Sequence, residues 1–181
     1  VVSGVKSLID RYDFIDKDRI ALNGHSWGGY QIAFLVTRTN MFKAAVSGAP
    51  VVNMTSAYGG IRWESGKSRM FQYEQTQSRI GGTLWDKPAE FIRNSPLFFL
   101  PQVQTPVLIM HNDKDGSVMW EQGIEFFMAL RRLDKPVWLF NYKGEGHHLK
   151  KWENRLDYSR RVMEFYDYYL KDGKKPEWMK S

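Results

Sequence analysis

The stretch Ile20-Ala21-Leu22-Asn23-Gly24-His25-Ser26-Trp27-Gly28-Gly29-Tyr30 decides how the rest of the chain is read. Ile20-Ala21-Leu22 is a short apolar run that reads as a buried strand, and Tyr30 to Val36 reads as a helix. Between them, Gly24-His25-Ser26-Trp27-Gly28 fits the pattern G-x-S-x-G. Between a strand and a helix, that pattern is a nucleophile elbow. A strained turn lifts the serine hydroxyl to the top of a sheet, beside the free N–H groups of a helix N-terminus. The flanking glycines permit the sharp bend and let the helix pack close to the strand. At ordinary residue frequencies roughly one chain in twenty of this length carries the pattern by chance, so its context carries the reading. The alternative for Ser26 is a helix-capping serine in an ordinary β–α turn.

Periodicity extends the same architecture outward. Val5 to Tyr12 reads as a helix with Val5, Leu8 and Ile9 on one face. Strands are expected at Ile20–Asn23, Ala44–Ser47, Val107–Met110 and Val137–Tyr142. The elbow helix is expected to run to about Thr39. A later helix spans Gln122 to Leu133, with Ile124, Phe127, Met128 and Leu130 as its apolar positions. A final amphipathic helix spans Asn154 to Leu170 and is ended by Gly173. Residues 51–100 hold many Gly, Ser and aromatic residues with weak periodicity, and read as a loop-rich insertion with one or two short helices. Strands alternating with helices imply an α/β layer with a parallel sheet, whose ligands bind at the carboxyl ends of the strands. Ser26, the run His111-Asn112-Asp113-Lys114-Asp115 and the run Gly144-Glu145-Gly146-His147-His148 all follow strands at that edge.

Composition bounds the function classes. The chain has 181 residues, 43% hydrophobic and 15% aromatic, enough for one domain with a real core. No run approaches the roughly 18 apolar residues of a membrane span, so no membrane partner is expected. There is no cysteine, which excludes disulfides, thiolate catalysis and cysteine-based zinc sites and leaves the compartment open. The net charge is +6 and concentrates in the last third. There Lys150, Arg155, Arg160 and Arg161 alternate with Glu153, Asp157 and Glu164, so no clean basic stripe for nucleic acid forms. The chain opens on Val1, with neither an initiator Met nor a signal pattern, and looks like a piece of a longer protein.

A serine hydroxyl is a poor nucleophile at neutral pH; it needs a base, and the base needs an orienting carboxylate. The order Ser, acid, His along the chain supplies both. Asp115 and Asp113 compete as the acid, and His147 and His148 as the base. His25 and His111 are expected to be structural. No i, i+4 pair or carboxylate spacing supports a zinc site, so neither metal nor cofactor is expected.

Gly24-His25-Ser26-Trp27-Gly28-Gly29-Tyr30 resembles the nucleophile motif of the prolyl oligopeptidase family of serine peptidases. Gly144-Glu145-Gly146-His147 is similar to that family's histidine loop, and His111 to Val118 to its acid loop. The resemblance covers almost the whole chain, and is strongest to the acylaminoacyl- and dipeptidyl-peptidase-like branch. It implies that residues 1–181 are the C-terminal part of an α/β-hydrolase catalytic domain, about four parallel strands with flanking helices, whose N-terminal strands lie upstream. It implies a peptide substrate and an acyl-enzyme, with Ser26 as nucleophile, His147 as base and acid, and Asp115 as orienting carboxylate. The Trp27 N–H would be one oxyanion donor. The second, a tyrosine hydroxyl, would precede Val1, so the chain alone is expected to be weak or inactive; one lost donor costs roughly 100- to 1,000-fold. The family builds its S1 pocket from the segment after the second strand and from residues just past the acid. Here Tyr58, Trp63 and Val118 would suit an apolar or proline-sized side chain. Ser117 stands where dipeptidyl peptidases usually carry Asn. A carboxylesterase of the same fold and a non-catalytic interaction module are the competing readings. The strand Ile20–Asn23 would be left as an edge, so a second copy or the upstream half is expected to cover it.

Overall fold

The computed structural model describes residues 1–180. In chain order the elements are α1 (Val2–Arg11), β1 (Ala21–His25), α2 (Trp27–Leu35), β2 (Ala44–Gly48), α3 (Met54–Tyr58), β3 (Ile61–Arg62), β4 (Lys67–Ser68), α4 (Met70–Glu74), α5 (Pro88–Arg93), a 3-10 turn (Pro96–Gln102), β5 (Val107–Met110), α6 (Trp120–Arg132), β6 (Val137–Phe140), α7 (Trp152–Leu170) and a last 3-10 turn (Glu177–Met179). Strands β1, β2, β5 and β6 form one sheet in that order, all neighbours parallel. The register pairs His25 with Gly48, Gly48 with Met110 and Met110 with Phe140. The four strands therefore end in one row, and the loops that follow them share one rim.

The period-two alternation of each strand decides which helices cover it. Ala45, Val107, Ile109 and Val137 face Ile32 and Ala33 of α2, Val36 just after it, and Phe126 and Leu130 of α6. Their neighbours Ala44, Val46 and Leu108 face Val162 and Phe165 of α7. Both faces are buried, as a parallel sheet requires. No helix among the described residues is long and apolar enough to cross a membrane. Among those residues β1 pairs with β2 alone and stands at the sheet edge.

One sequence expectation is corrected, and two helices show how their faces are used. Residues 51–100 are more ordered than expected: they hold three short helices, a β3–β4 hairpin and a 3-10 turn. They close over a core in which Tyr73 and Phe91 are fully buried. A ring of this size contributes about 1.5–3 kcal/mol when buried, which is what holds such short elements in place. On α1 the apolar stripe is only partly covered: Val5 and Ile9 are half-buried, Leu8 is 48% exposed and no residue of the helix is fully buried. On α6 the inward residues are Gln122, Gly123, Phe126 and Leu130, while Ile124 and Met128 face outward. The rotation follows from Gly123, where a Cβ would come within 2.6 Å of the His111 ring, so only glycine can face that loop. Gln122 beside it accepts from the backbone N–H of Val52 and Asn53, tying α6 to the loop after β2.

Candidate active site

Ser26 sits between β1 and α2 with φ 59° and ψ −118°. A non-glycine residue holds such a positive φ only where its surroundings over-determine it. Here the Ser26 N–H donates to Gly48 O at 2.8 Å, and its carbonyl accepts from Tyr30 N at 2.9 Å. Two glycines permit the close approach. A Cβ on Gly24 would lie 2.7 Å from the Gly28 backbone, and one on Gly29 would lie 2.3 Å from Gly48 O. Gly28, the last glycine of the pattern, would meet nothing within 4 Å. The tight contact thus falls one residue later than the pattern suggests, because α2 crosses β2 at Gly29.

The loop after β5 carries both candidate acids. Asp115 Oδ1 accepts from the N–H groups of Ser117 at 2.9 Å and Val118 at 2.8 Å. Its Oδ2 lies 2.8 Å from His147 Nδ1 and 3.4 Å from His111 Nε2. Burial by itself would raise the Asp115 carboxyl. The bonds from His111, His147 and the Val118 N–H outweigh it and hold the group well below the usual carboxylate range. Asp113 is placed differently. It is a clamp between loops, its N–H donating to Asn141 Oδ1 at 3.2 Å and its Oδ1 accepting from Gly144 N at 2.7 Å. Asn112 adds a second tie, donating to Gly146 O at 2.8 Å and accepting from Tyr142 N at 3.0 Å.

The loop after β6 supplies the imidazole. Glu145 is buried and accepts from Lys150 N, Lys151 N and the Asn154 amide, anchoring the loop to the start of α7. His147 Nε2 then lies 2.9 Å from Ser26 Oγ. With Nδ1–H donating to Asp115, the tautomer leaves Nε2 to accept from the serine hydroxyl. Trp27 is the first residue of α2, where a backbone N–H has no partner inside the helix.

His148 is exposed and approaches His25 instead, with ring centroids 4.8 Å apart. His25, beneath both, is pushed down to about 4 by burial first and then by His147 and His148. His25, His147 and His148 each present a nitrogen within 4.8 Å of the others. Both His147 nitrogens are already engaged, so a cation there would have to break the relay.

The residues expected to line a specificity pocket divide. Val118 does border the small cavity beside Ser26. Tyr58 does not: α3 turns its ring into the core against Tyr73 and Phe91, and its hydroxyl donates to Glu74 at 2.5 Å. Trp63 does not either; it lies in the turn of the β3–β4 hairpin and is 73% exposed. One residue earlier, alternation points Arg62 inward, and Arg69 follows β4; both border the cavity. The sequence carries no signal for these two, because the pairing that aims them spans only two residues per strand.

The prolyl oligopeptidase family model matches residues 1–173. This chain belongs to the prolyl oligopeptidase family. It is 30% identical over 155 residues to the uncharacterized peptidase YuxL of Bacillus subtilis (strain 168), covering 83% of this chain and 22% of that protein. It is 29% identical over 147 residues to the acylamino-acid-releasing enzyme of Rattus norvegicus, covering 80% of this chain and 20% of the enzyme. Its fold is that of the α/β-hydrolase domain. It superposes on Pyrococcus horikoshii acylaminoacyl peptidase with a TM-score of 0.83 at 21% identity, over 99% of this chain and 29% of that one. A Mycobacterium tuberculosis puromycin-hydrolyzing peptidase gives 0.79 at 25% identity, over 93% and 24%. The chain therefore spans about one fifth of the length of these curated relatives.

Proposed function

We propose that this member of the prolyl oligopeptidase family carries the nucleophile, base and acid of a serine peptidase that cleaves peptide bonds through an acyl-enzyme. The observation that carries the reading is the unbroken contact from Ser26 Oγ to His147 Nε2, 2.9 Å, and from His147 Nδ1 to Asp115 Oδ2, 2.8 Å. His147 takes the hydroxyl proton as Ser26 Oγ attacks the scissile carbonyl. Asp115 holds the imidazole in the required tautomer and stabilises the imidazolium that forms. The charge that develops on the carbonyl oxygen meets the Trp27 N–H at the start of α2. His147 then returns its proton to the leaving amine. Water then attacks the acyl carbon as His147 Nε2 takes its proton; the C–O bond to Ser26 breaks, His147 returns that proton to Ser26 Oγ, and the acid leaves.

Labelling by a fluorophosphonate tests this in the protein that carries the chain. Ser26 is expected to take the label, and Ser26→Ala is expected to abolish both labelling and peptide hydrolysis, a loss on the order of 10⁶-fold in kcat. Labelling that survives Ser26→Ala would reject the proposal. Faster turnover of short-chain esters than of acyl-peptides would move the activity to an esterase of the same fold.

A further inference from the structure

Beside Ser26 lies a cavity of about 170 Å³ bordered by His147, Val118, Gln77, Arg62 and Arg69. Arg69 is only 3% exposed. Its guanidinium donates to Ser117 O, lies 3.5 Å from the Tyr73 hydroxyl and sits 5.9 Å from the centre of that ring. Its Nε is buried with no hydrogen-bonding partner. Arg62 Nη2 donates to the Ser117 hydroxyl at 3.2 Å. Neither arginine has an ion pair among the described residues. The carboxylate bonded to this cluster is Glu64, which is exposed and accepts from the Ser117 hydroxyl at 2.8 Å.

A cation buried among neutral acceptors keeps an uncompensated charge, and two cations meeting on one residue repel. An anion placed between them removes both penalties and gains charge-assisted hydrogen bonds to planar donors. The cavity opens onto the nucleophile, so that anion belongs to the substrate. Ser117 also fixes the distance, since its N–H holds Asp115 Oδ1 while its hydroxyl and carbonyl hold the arginines. We propose that the cavity is a carboxylate-recognising subsite, with Arg62 and Arg69 selecting substrates that bring a carboxylate next to the scissile bond. The first source is an Asp or Glu side chain on the acyl side of that bond; the second is a terminal carboxylate. This inference rests on the peptidase reading and replaces the apolar preference expected from Tyr58 and Trp63.

The experiment uses the protein carrying this chain and acetyl-peptide coumarylamides that differ only in the residue next to the coumarin. Glu over Gln, and Asp over Asn, is expected to raise kcat/KM roughly 30-fold, the scale of a charged hydrogen bond in a dry site. The Glu/Gln ratio is read within each variant, so differences in folded fraction cancel. It is expected to approach 1 in Arg62→Gln and to invert in Arg62→Glu; Arg69→Lys, which keeps the charge in the buried position, is expected to retain part of it. Binding to Ser26→Ala separates the two sources without turnover. N-acetyl-glutamate α-amide against N-acetyl-glutamine α-amide reads the side chain, and N-acetyl-alanine against its amide reads the terminal carboxylate. Equal rates and equal binding across every acid–amide pair would overturn the subsite. No hydrolysis of any substrate, with tight binding of the acid ligands retained, would overturn the peptidase reading and leave the subsite standing.

Discussion

The rim of the four-stranded sheet and the segment 51–100 that arches over it hold their side chains by different means. At the rim, parallel register sets the strand ends in one row, and short loops carry Ser26, Asp115 and His147 from there. Backbone groups do most of the fixing: Gly48 O holds Ser26, and the Ser117 and Val118 N–H groups hold Asp115. In the arch, elements of two to seven residues are held by rings, with Tyr58, Tyr73 and Phe91 meeting at centroid distances of 5.1 to 6.3 Å. Under the proposed function, the rim carries chemistry common to any substrate, and the arch, through Arg62 and Arg69, distinguishes one substrate from another. Changes at the rim should lower all rates together, while changes in the arch should alter ratios between substrates.

The largest expected effect separates the two acids of one loop. Asp115→Asn should lower kcat about 10⁴-fold for acidic and neutral substrates alike, by imposing the wrong imidazole tautomer. Asp113→Asn, which loosens only the clamp on Gly144, should cost far less. Steady-state kinetics on paired Glu and Gln substrates check this, and equal losses in the two variants would undo the assignment of the acid.

A smaller effect concerns backbone fit. Gly29→Ala drives a methyl group against Gly48 O and should destabilise by about 1–3 kcal/mol. Gly28→Ala at the rim and Gly59→Ala in the arch meet open space and should be close to neutral. Denaturant unfolding midpoints for the three variants sharpen the comparison, because they separate a glycine pressed against backbone from two that meet open space.

The smallest effect is in pH. His25 has its pKa pushed down to about 4 from an ordinary value of about 6.5. Between those values the unfolded chain binds a proton that the folded chain refuses. Stability is therefore full above about pH 6.5 and falls as pH drops toward 4. Asp115, held low by His111 and His147, adds a further loss below the ordinary carboxylate pKa of about 3.9. Thermal midpoints measured from pH 7 to 4 should decline, and His25→Asn should flatten that decline. A flat profile in the unchanged protein would rule out a half-buried imidazole kept neutral by the fold.

Legibility followed the length of the repeating pattern. The strand Val107–Met110 has the residues expected, and the other sheet strands and long helices shift by a few residues at their ends. Ser26, the acid loop and the histidine loop were placed at one edge by topology, and the atoms meet there. Of the apolar positions named on α6, Leu130 faces the core and Ile124 and Met128 face outward; the inward Gln122 and Gly123 carry no apolar signal that could mark them. The hairpin that aims Arg62 and exposes Trp63 has two-residue strands, too short for any alternation to register.

Local order was thus written in the chain: which runs become strands, where the serine turn falls, and in what order nucleophile, acid and imidazole follow. Those features depend on residues a few positions apart, where propensity and periodicity act. The family resemblance favoured Asp115 over Asp113, and the tertiary structure brings Asp115 to the imidazole; that Tyr58 serves the core was decided by the tertiary structure alone. It also brought to the nucleophile two arginines that make no ion pair among the described residues. Each of these depends on packing between segments distant along the chain, where close contact, burial and charge act and sequence spacing does not.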